Sequence, residues 1–190
     1  MVLTATILGL TAASGPAAAS GPAAADQPQG IADQLMLQPE DLSGAVPGPV
    51  KDGLVWSLLP QPCADTPVPT PMVSRAEAAD LSTRFRVYEN VARYPSDGAH
   101  AYIAELKSQL TRCGVGGGDN GFDPIAEDHL GPDTVLFAGN YDEGDRYVGY
   151  VAAAVGDYVV VVMMSDSYLG AADLTVLNGL ASAAMTRVAE

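Results

Sequence analysis

Two arginines and three tyrosines have the residue types and spacing of a small binding site. Arg84, Arg86 and Tyr88 alternate along one predicted strand, so their side chains share its outward face. Tyr147 and Tyr150 lie on a later strand predicted to join the same sheet. Guanidinium groups beside aromatic rings can bind an anionic or carbohydrate ligand. The alternative is that both arginines are solvated and pair with nearby carboxylates.

A second set of polar residues has the oxygen ligands that calcium prefers. It lies in a glycine-rich acidic stretch and consists of Asp119, Asn120, Asp123, Glu127 and Asp128. Calcium takes about six to eight oxygen ligands, but this spacing is not that of an EF-hand loop. We therefore interpret the stretch as a solvated acidic loop and predict no metal site.

The motifs of common hydrolases and phosphate-binding loops are absent from the sequence. There is no G-x-S-x-G elbow, and both histidines, His100 and His129, are predicted to lie on the surface. The glycines at 114–118 follow a predicted helix instead of opening one. The many acidic residues could supply a carboxylate pair for glycoside hydrolysis, without any specific signal for it. We predict a non-enzymatic protein without a cofactor.

The charge of the chain excludes several classes of partner. Its 190 residues include 9 Lys and Arg against 23 Asp and Glu, for a net charge of −14. Binding to phosphates needs clustered basic residues, so we predict no nucleic acid and no anionic membrane surface as partner. Hydrophobic residues make up 48% of the chain, which suits one globular domain, assigned to residues 26–190.

The uncharged first 25 residues have the pattern of an export signal. Residues 2–13 form an apolar run shorter than the about 20 residues that span a bilayer. Two A-x-A cleavage candidates follow, and the second, at 23–25, directly precedes the charged part of the chain. The positive charge expected before the apolar run is missing. We predict a signal peptide at 1–25, a secreted protein and no transmembrane segment. The alternative is a disordered Ala/Pro tail on a cytosolic protein.

The two cysteines favour the exported location. An even number of cysteines in a small exported protein indicates a disulfide, and Cys63 and Cys113 permit a single pairing. The alternative is two buried free thiols that pack as small hydrophobic groups. Neither cysteine has a histidine nearby in the sequence, so no zinc site is predicted.

The elements that must position these residues begin with weakly patterned segments. Residues 26–50 are predicted to form a loosely attached N-terminal segment with a short amphipathic helix at 31–37. Residues 54–59 are predicted as an edge strand that prolines terminate, and the proline-rich residues 65–71 as a loop.

The middle of the chain has clearer periodicity. Residues 83–94 alternate as in a half-exposed strand, whose apolar face is interrupted by Glu89. Ser96 is predicted to cap a helix at 96–112 that has one apolar stripe. Residues 114–133 are predicted as a loop.

The last third of the chain predicts an antiparallel meander followed by a helix. The three strands are residues 134–141, 146–155 and 158–164, with a turn at 142–145. The last strand is apolar without alternation, so it should be covered on both faces and lie centrally. A helix capped at 165–167 should run to Val188. The fold class is therefore α+β, an antiparallel sheet with two main helices packed on it and one disulfide.

Several of these stretches resemble a known family. Residues 87–96, followed by a helix that closes on Cys113, and the valine-rich strand at 156–162 before the last helix resemble the extracellular sensor domain of mycobacterial PknH-type Ser/Thr kinases. Related secreted and lipoprotein domains of actinobacteria share this pattern. The resemblance implies a domain with a polar, ligand-binding groove and no catalysis. Of the two disulfides in the kinase sensors, this sequence matches only the first, Cys63 with Cys113.

The resemblance and the residues together predict a secreted sensor domain that binds a small-molecule or cell-envelope ligand. Because no kinase domain or membrane anchor is present in the sequence, such a domain would act through a separate membrane signalling partner. Two alternatives stay open. One is a secreted cell-envelope hydrolase that uses carboxylates, and the other is an interaction or inhibitor module that presents the loop at 114–133 to a partner.

Overall fold

A seven-stranded antiparallel sheet forms the centre of the described part of the molecule. The computed structural model describes residues 30–51, 54, 57–63, 65–113, 121–141, 146–166 and 172–190. The strands are β1 (Gly48–Pro49), β2 (Val73–Asp80), β3 (Phe85–Arg93), β4 (Phe122–Glu127), β5 (Thr134–Tyr141), β6 (Arg146–Val155) and β7 (Tyr158–Asp166), and the α-helices are α1 (Gly98–Cys113) and α2 (Leu174–Ala189). Across the sheet the order is β1-β2-β3-β7-β6-β5-β4.

Some predictions fall on residues that are not described. The predicted signal peptide at 1–25 and the predicted turn at 142–145 lie outside the described ranges. Within those ranges, neither α1 nor α2 has the length and apolar character that crossing a bilayer requires, and no other helix there has them.

The central strand β7 contributes to two separate cores, one on each face of the sheet. Val159, Val161 and Met163 pack in the core beneath α1, whereas Val160, Val162 and Met164 pack in the core beneath α2. We call these two sides the α1 face and the α2 face. The predicted central position of this strand, its burial on both faces and the α+β fold class are confirmed.

Both helices begin later than expected, and the buried residues of α2 include Leu177, Ala181 and Ala184 of its predicted stripe but not Leu174, which is exposed. In α1 the predicted stripe of Ala99, Ile103, Leu106 and Leu110 is buried. This helix begins at Gly98 because Ser96 has a φ of 42°, which is not helical. The prediction that residues 165–167 cap the last helix is wrong. The cap is Asp173, whose carboxylate accepts hydrogen bonds from the N–H groups of Thr175 and Val176.

The strand β3 is more buried than the half-exposed strand that the sequence predicts, although Arg86 and Tyr88 on its polar side are only partly buried. It pairs with β7 on one side and with β2 on the other, and Asn90 and Ala92 on its polar side are buried. The strand β2 was not predicted, because its sequence VSRAEAAD has little of the β-branched and aromatic character typical of strands. Its eight residues all pair with β3, so tertiary pairing overrides the local preference.

Two further expectations are corrected at the edges of the sheet. The predicted loop at 114–133 contains the edge strand β4, which pairs with β5 through a register shift between Pro124 and Ala126. The described residues of 54–59 do not form the predicted strand. They belong to a chain segment in which Leu54, Leu58 and Leu59 pack on the core of the α1 face. The predicted loop at 65–71 is confirmed.

The N-terminal segment packs more closely than the sequence predicts. Its helical part is a single 3-10 turn, Asp33–Leu35, and Met36, Leu37 and Leu42 are buried. Arg187 of α2 donates to Asp41 Oδ2 at 2.5 Å and to a carboxylate oxygen of the preceding glutamate at 2.7 Å. The described part of this segment is therefore attached to the α2 face by both apolar contacts and ion pairs.

The predicted disulfide is present and joins α1 to the segment that precedes β2. Cys63 and Cys113 are bonded across a sequence separation of 50 residues. Hydrogen bonds reinforce this junction: the Cys63 N–H donates to Gln109 Oε1 at 3.1 Å, and the Tyr102 hydroxyl donates to the Pro60 carbonyl at 2.8 Å. The disulfide therefore supplements several other contacts between these two parts of the chain.

Close approach of α2 to β6 requires a glycine at position 149. A Cβ atom there would lie 2.7 Å from Ala172 Cβ and 2.8 Å from Leu177 Cδ2. We expect Gly149→Ala to lower the free energy of unfolding by about 1–3 kcal/mol in urea denaturation, because α2 must shift. Gly179→Ala is the matched control, since its Cβ would meet nothing within 4 Å on a helix, and it should be neutral or stabilising. Equal effects of the two substitutions would contradict this account.

Candidate functional site

The turn between β2 and β3 gives the two candidate arginines different surroundings. The Ser82 hydroxyl accepts hydrogen bonds from the N–H groups of Arg84 and Phe85, each at 3.1 Å. The Leu81 N–H donates to the Phe85 carbonyl at 3.0 Å, which closes the turn. Arg84 therefore lies in the turn itself. Arg86 lies within β3 on the same side of the strand as Tyr88 and Ala92, which pack on the α1 face.

Arg84 is bound to a buried carboxylate. Its Nε donates to Asp166 Oδ2 at 2.5 Å, and Asp166 is only 3% exposed. The guanidinium also lies over the Phe85 ring, 4.9 Å from its centroid. An uncompensated charge at such a position would be strongly destabilising. Arg84 thus neutralises the buried carboxylate of Asp166.

Arg86 is held by packing more than by an ion pair. Its Nε lies 3.5 Å from Asp80 Oδ1. This Nε has no hydrogen-bond partner within the described ranges. Its guanidinium carbon lies 5.5 Å from the centroid of the Tyr88 ring. The Asp80 side chain is 67% exposed, so solvent screens the ion pair strongly. Arg86 is therefore oriented on an aromatic ring while its cationic group retains hydrogen-bonding capacity.

A surface cleft of about 490 Å³ adjoins Arg86 at the β2–β3 turn. We call it the β2–β3 cleft, and its lining residues are Asp80, Ser82, Thr83, Phe85 and Arg86. Small-molecule sites typically have volumes of about 300–1,000 Å³ and a few convergent polar groups. This lining offers one cation, one carboxylate, two hydroxyls and one ring. It can hold a small ligand that has an anionic group and polar hydrogen-bonding groups.

The candidate tyrosines do not share one surface. Tyr88 is half-buried on the α1 face, next to Arg86. Tyr150 is fully buried, its ring stacks on Phe137 with centroids 4.8 Å apart, and burial raises the pKa of its phenol far above the usual value. Tyr147 is 41% exposed. It precedes Tyr150 by three positions on β6, so its side chain points to the opposite face of the sheet. The structure therefore brings together Arg86 and Tyr88 and places Tyr150 in the core.

The candidate calcium ligands are spread over several elements. Asp119 and Asn120 lie outside the described residues, and Asp123 and Glu127 belong to β4. Asp128 pairs with Lys107 at 2.7 Å, and the hydrogen bond from Lys107 lowers the pKa of this carboxyl. In the described ranges, the metal-ligating side chains that meet in a group of three are Cys63, Asp65 and Cys113. The disulfide occupies both of these sulfur atoms.

The two histidines are engaged in separate polar contacts. His100 lies on the surface of α1, and its Nδ1 is 3.0 Å from Asp133 Oδ2. His129 is half-buried, and its Nε2 is 3.1 Å from Asn178 Oδ1. Neither contact places a hydroxyl or thiol nucleophile next to an imidazole, which is the arrangement of a nucleophilic hydrolase.

Sequence reasoning missed a carboxylate pair on the α2 face. Glu77 and Glu89 are directly opposite each other in the β2–β3 register. Arg75 donates to Glu77 Oε1 at 2.6 Å, whereas Glu89 is only 3% exposed and accepts a hydrogen bond from the Leu37 N–H at 2.7 Å. Burial, assisted by the charge of Glu77, raises the pKa of Glu89 to about 7. The available signal was the interruption of the apolar face by Glu89.

The carboxylate pair has the electrostatics of a general acid but not the space for a substrate. A protonated carboxyl beside an ionised one is the arrangement that glycosidases use. The cavity at Glu89, however, measures about 10 Å³, which is roughly the space of one water molecule. Leu37, Leu42 and Pro47 line it together with β2 and β3. A sugar ring does not fit there, so this pair does not support the hydrolase alternative.

Comparison with known proteins finds a distant structural likeness and no match in sequence. No family model and no curated protein matches the sequence. Among solved structures, the fold is similar to the extracellular domain of PknH from Mycobacterium tuberculosis, with a TM-score of 0.42 and 14% sequence identity. The match covers 61% of this chain and 61% of that one. Membership in the family that the sequence motifs resemble therefore stays a prediction.

Proposed function

We propose that this chain is an exported, non-enzymatic binding domain that holds a small anionic ligand, of the kind found in the cell envelope, at the β2–β3 cleft. The observation that carries the proposal is the position of Arg86 beside a cleft of about 490 Å³. A planar guanidinium stacked on Tyr88 is oriented before the ligand arrives, which reduces the entropy lost on binding. The disulfide supports the exported location, because oxidising compartments retain such bonds.

The binding role falls to Arg86, because Arg84 is already paired. Asp166 is buried and accepts from Arg84, whereas the exposed carboxylate of Asp80 is a weak competitor for Arg86. An anionic ligand can displace Asp80 toward solvent at little energetic expense. Ser82 and Thr83 then supply hydroxyls to the rest of the ligand. A domain that acts by such binding would signal through a separate membrane protein.

Substitution of Arg86 tests the proposal by calorimetric titration. The probes are inorganic phosphate, glycerophosphate headgroups and muramyl peptides, each added to the full exported chain. We expect Arg86→Gln to weaken binding of the best probe by about 10- to 100-fold, which is the range for a charge-assisted hydrogen bond. Asp80→Asn should tighten the same binding a few-fold, because it removes the competing carboxylate.

The control variant lies on the same strand. Arg93→Gln removes an identical charge at the far end of β3, so it corrects for the change in net charge while leaving the cleft intact. We expect wild-type affinity from this variant. If Arg86→Gln, Arg93→Gln and the wild type bind every probe equally, the cleft is not the binding site and the proposal fails.

A further inference from the structure

Glu89 is a buried carboxyl that the proposed binding role does not use. It is 3% exposed, and its Oε2 accepts the Leu37 N–H at 2.7 Å. Its other oxygen, Oε1, is buried and has no hydrogen-bond partner within the described ranges. The adjoining cavity of about 10 Å³ has room for roughly one water. Oε1 of Glu89 is therefore buried where there is room for about one water molecule.

The charges around Glu89 are mainly of its own sign. Glu77 stands directly opposite on β2, with Arg75 bound to its carboxylate. Asp41 of the N-terminal segment and Glu77 both oppose ionisation of Glu89, while Arg187 of α2 favours it.

Those neighbouring groups are themselves occupied. The Arg187 guanidinium is shared between Asp41 and Glu40, and Arg75 also binds Asp33 of the N-terminal segment. No cation is therefore bonded to Glu89 in the described structure. The N-terminal segment is thus held by ion pairs at Asp33 and Asp41, and between them Glu89 accepts the hydrogen bond from Leu37.

We propose that Glu89 is a proton-operated latch that fastens the N-terminal segment to the α2 face when it is protonated and loosens it when it is ionised. In the closed form a neutral carboxyl still accepts the Leu37 N–H through its carbonyl oxygen and avoids a buried charge. Ionisation strengthens that one hydrogen bond but places a charge next to Glu77 and Asp41 in an apolar site. Opening admits water to the carboxylate and relieves this repulsion.

The direction of the pH effect follows from the two protonation states. Burial raises the pKa of Glu89 to about 7 in the closed form, against an ordinary value of 4.5 once the segment opens. The closed form therefore binds the proton more tightly, and opening releases it between these two values. The opening equilibrium should rise about tenfold per pH unit across this window and become level above about pH 7. The total rise is at most roughly 300-fold.

Opening of the latch changes what the domain presents to its surroundings. Leu37 and Leu42 pack with Ala79 and Val87 on the α2 face, and these side chains would become accessible together. The segment would thus be closed near pH 5 and more often open at pH 7 and above. This behaviour does not require a ligand at the β2–β3 cleft, because the cleft and the cavity at Glu89 share no lining residue.

Hydrogen exchange at the Leu37 amide tests the latch, because this N–H is bonded to Glu89 itself. Exchange rates measured between pH 4.5 and 8, divided by the intrinsic rate at each pH, give the opening equilibrium. We expect the wild type to show the rise described above. Glu89→Gln keeps an acceptor for Leu37 but cannot ionise, so its opening equilibrium should not change with pH.

A matched substitution and a spectroscopic measurement complete the test. Glu127→Gln, on the exposed strand β4, should retain the wild-type pH dependence. Infrared difference spectra between pH 6 and pH 8 should show the C=O band of a protonated carboxyl, absent in Glu89→Gln. If that variant does not fold, Glu77→Gln substitutes for it and should shift the infrared midpoint to lower pH. A pH-independent Leu37 protection in the wild type, or no carboxyl band at pH 6, would overturn the proposal.

Discussion

Removal of the disulfide is expected to lower the free energy of unfolding by about 2–5 kcal/mol. The bond between Cys63 and Cys113 closes a loop of 50 residues, so its loss releases considerable conformational freedom in the unfolded chain. Marginal stability of about 5–15 kcal/mol makes this a large share of the total. The hydrogen bonds that Gln109 and Tyr102 make to the same segment keep the folded geometry similar without the bond.

Urea denaturation of the oxidised wild type and of Cys63→Ser combined with Cys113→Ser measures this effect. A thiol reductant should destabilise the wild type to the level of the double variant and leave the double variant unchanged. An unaltered midpoint in both comparisons would show that the contacts of Gln109 and Tyr102 alone hold this junction.

Phe137→Ala should destabilise the fold by about 3–5 kcal/mol. Phe137 is fully buried on β5, where its ring stacks on Tyr150 and meets Phe122 edge to face at 5.8 Å between centroids. Truncation removes both contacts and leaves a cavity beneath α1, which the sheet and the helix cannot close without losing other packing.

Two other substitutions define the expected range for this aromatic cluster. Phe137→Leu keeps most of the volume, so it should lose about 1 kcal/mol or slightly more. Tyr147→Ala removes an exposed ring from the neighbouring strand and should change stability by about 0.5 kcal/mol or less. Thermal and urea unfolding of the three variants give the comparison. Similar losses for Phe137→Ala and Tyr147→Ala would contradict the burial of this cluster.

The sequence predicts well those elements whose local pattern and tertiary environment agree. The strands β5 and β6 have the predicted boundaries, and β7 ends only two residues later than predicted. Their apolar alternation or continuous apolar run matches the burial that the sheet gives them. The apolar stripe of α1 is buried for the same reason.

The strand β2, the strand β4 and the true start of α2 depend on information that is not local. The alanines and charges of β2 become a strand because β3 provides a complete set of backbone partners. Pro124 in β4 argues for a loop, yet an edge strand with a register shift accommodates it. Asp173 competes with an equally plausible cap at residues 165–167, and the extension of β7 to Asp166 decides between them.

The candidate site was predictable in its residue types but not in its pairings. Spacing alone places Arg86 and Tyr88 on one face, and the structure has them in contact. The neutralisation of Arg84 by Asp166 joins residues 82 positions apart, which no local pattern encodes. Burial of Tyr150 likewise depends on α1, which covers that face of the sheet. In the sequence, Glu89 stands out because it interrupts the apolar face of its strand. Its hydrogen bond with the Leu37 N–H is known only from the structure.

The strand order has a consequence for the solubility of the folded domain. The valine-rich β7 is a sequence that would readily polymerise if it lay at an edge, but three strands separate it from each side of the sheet. Both outermost strands contain a proline, Pro49 in β1 and Pro124 in β4, and proline has no N–H to donate to an added strand. In the described sheet, both edges thus offer an interrupted row of donors to an added strand, and the segment most prone to aggregation lies at the centre.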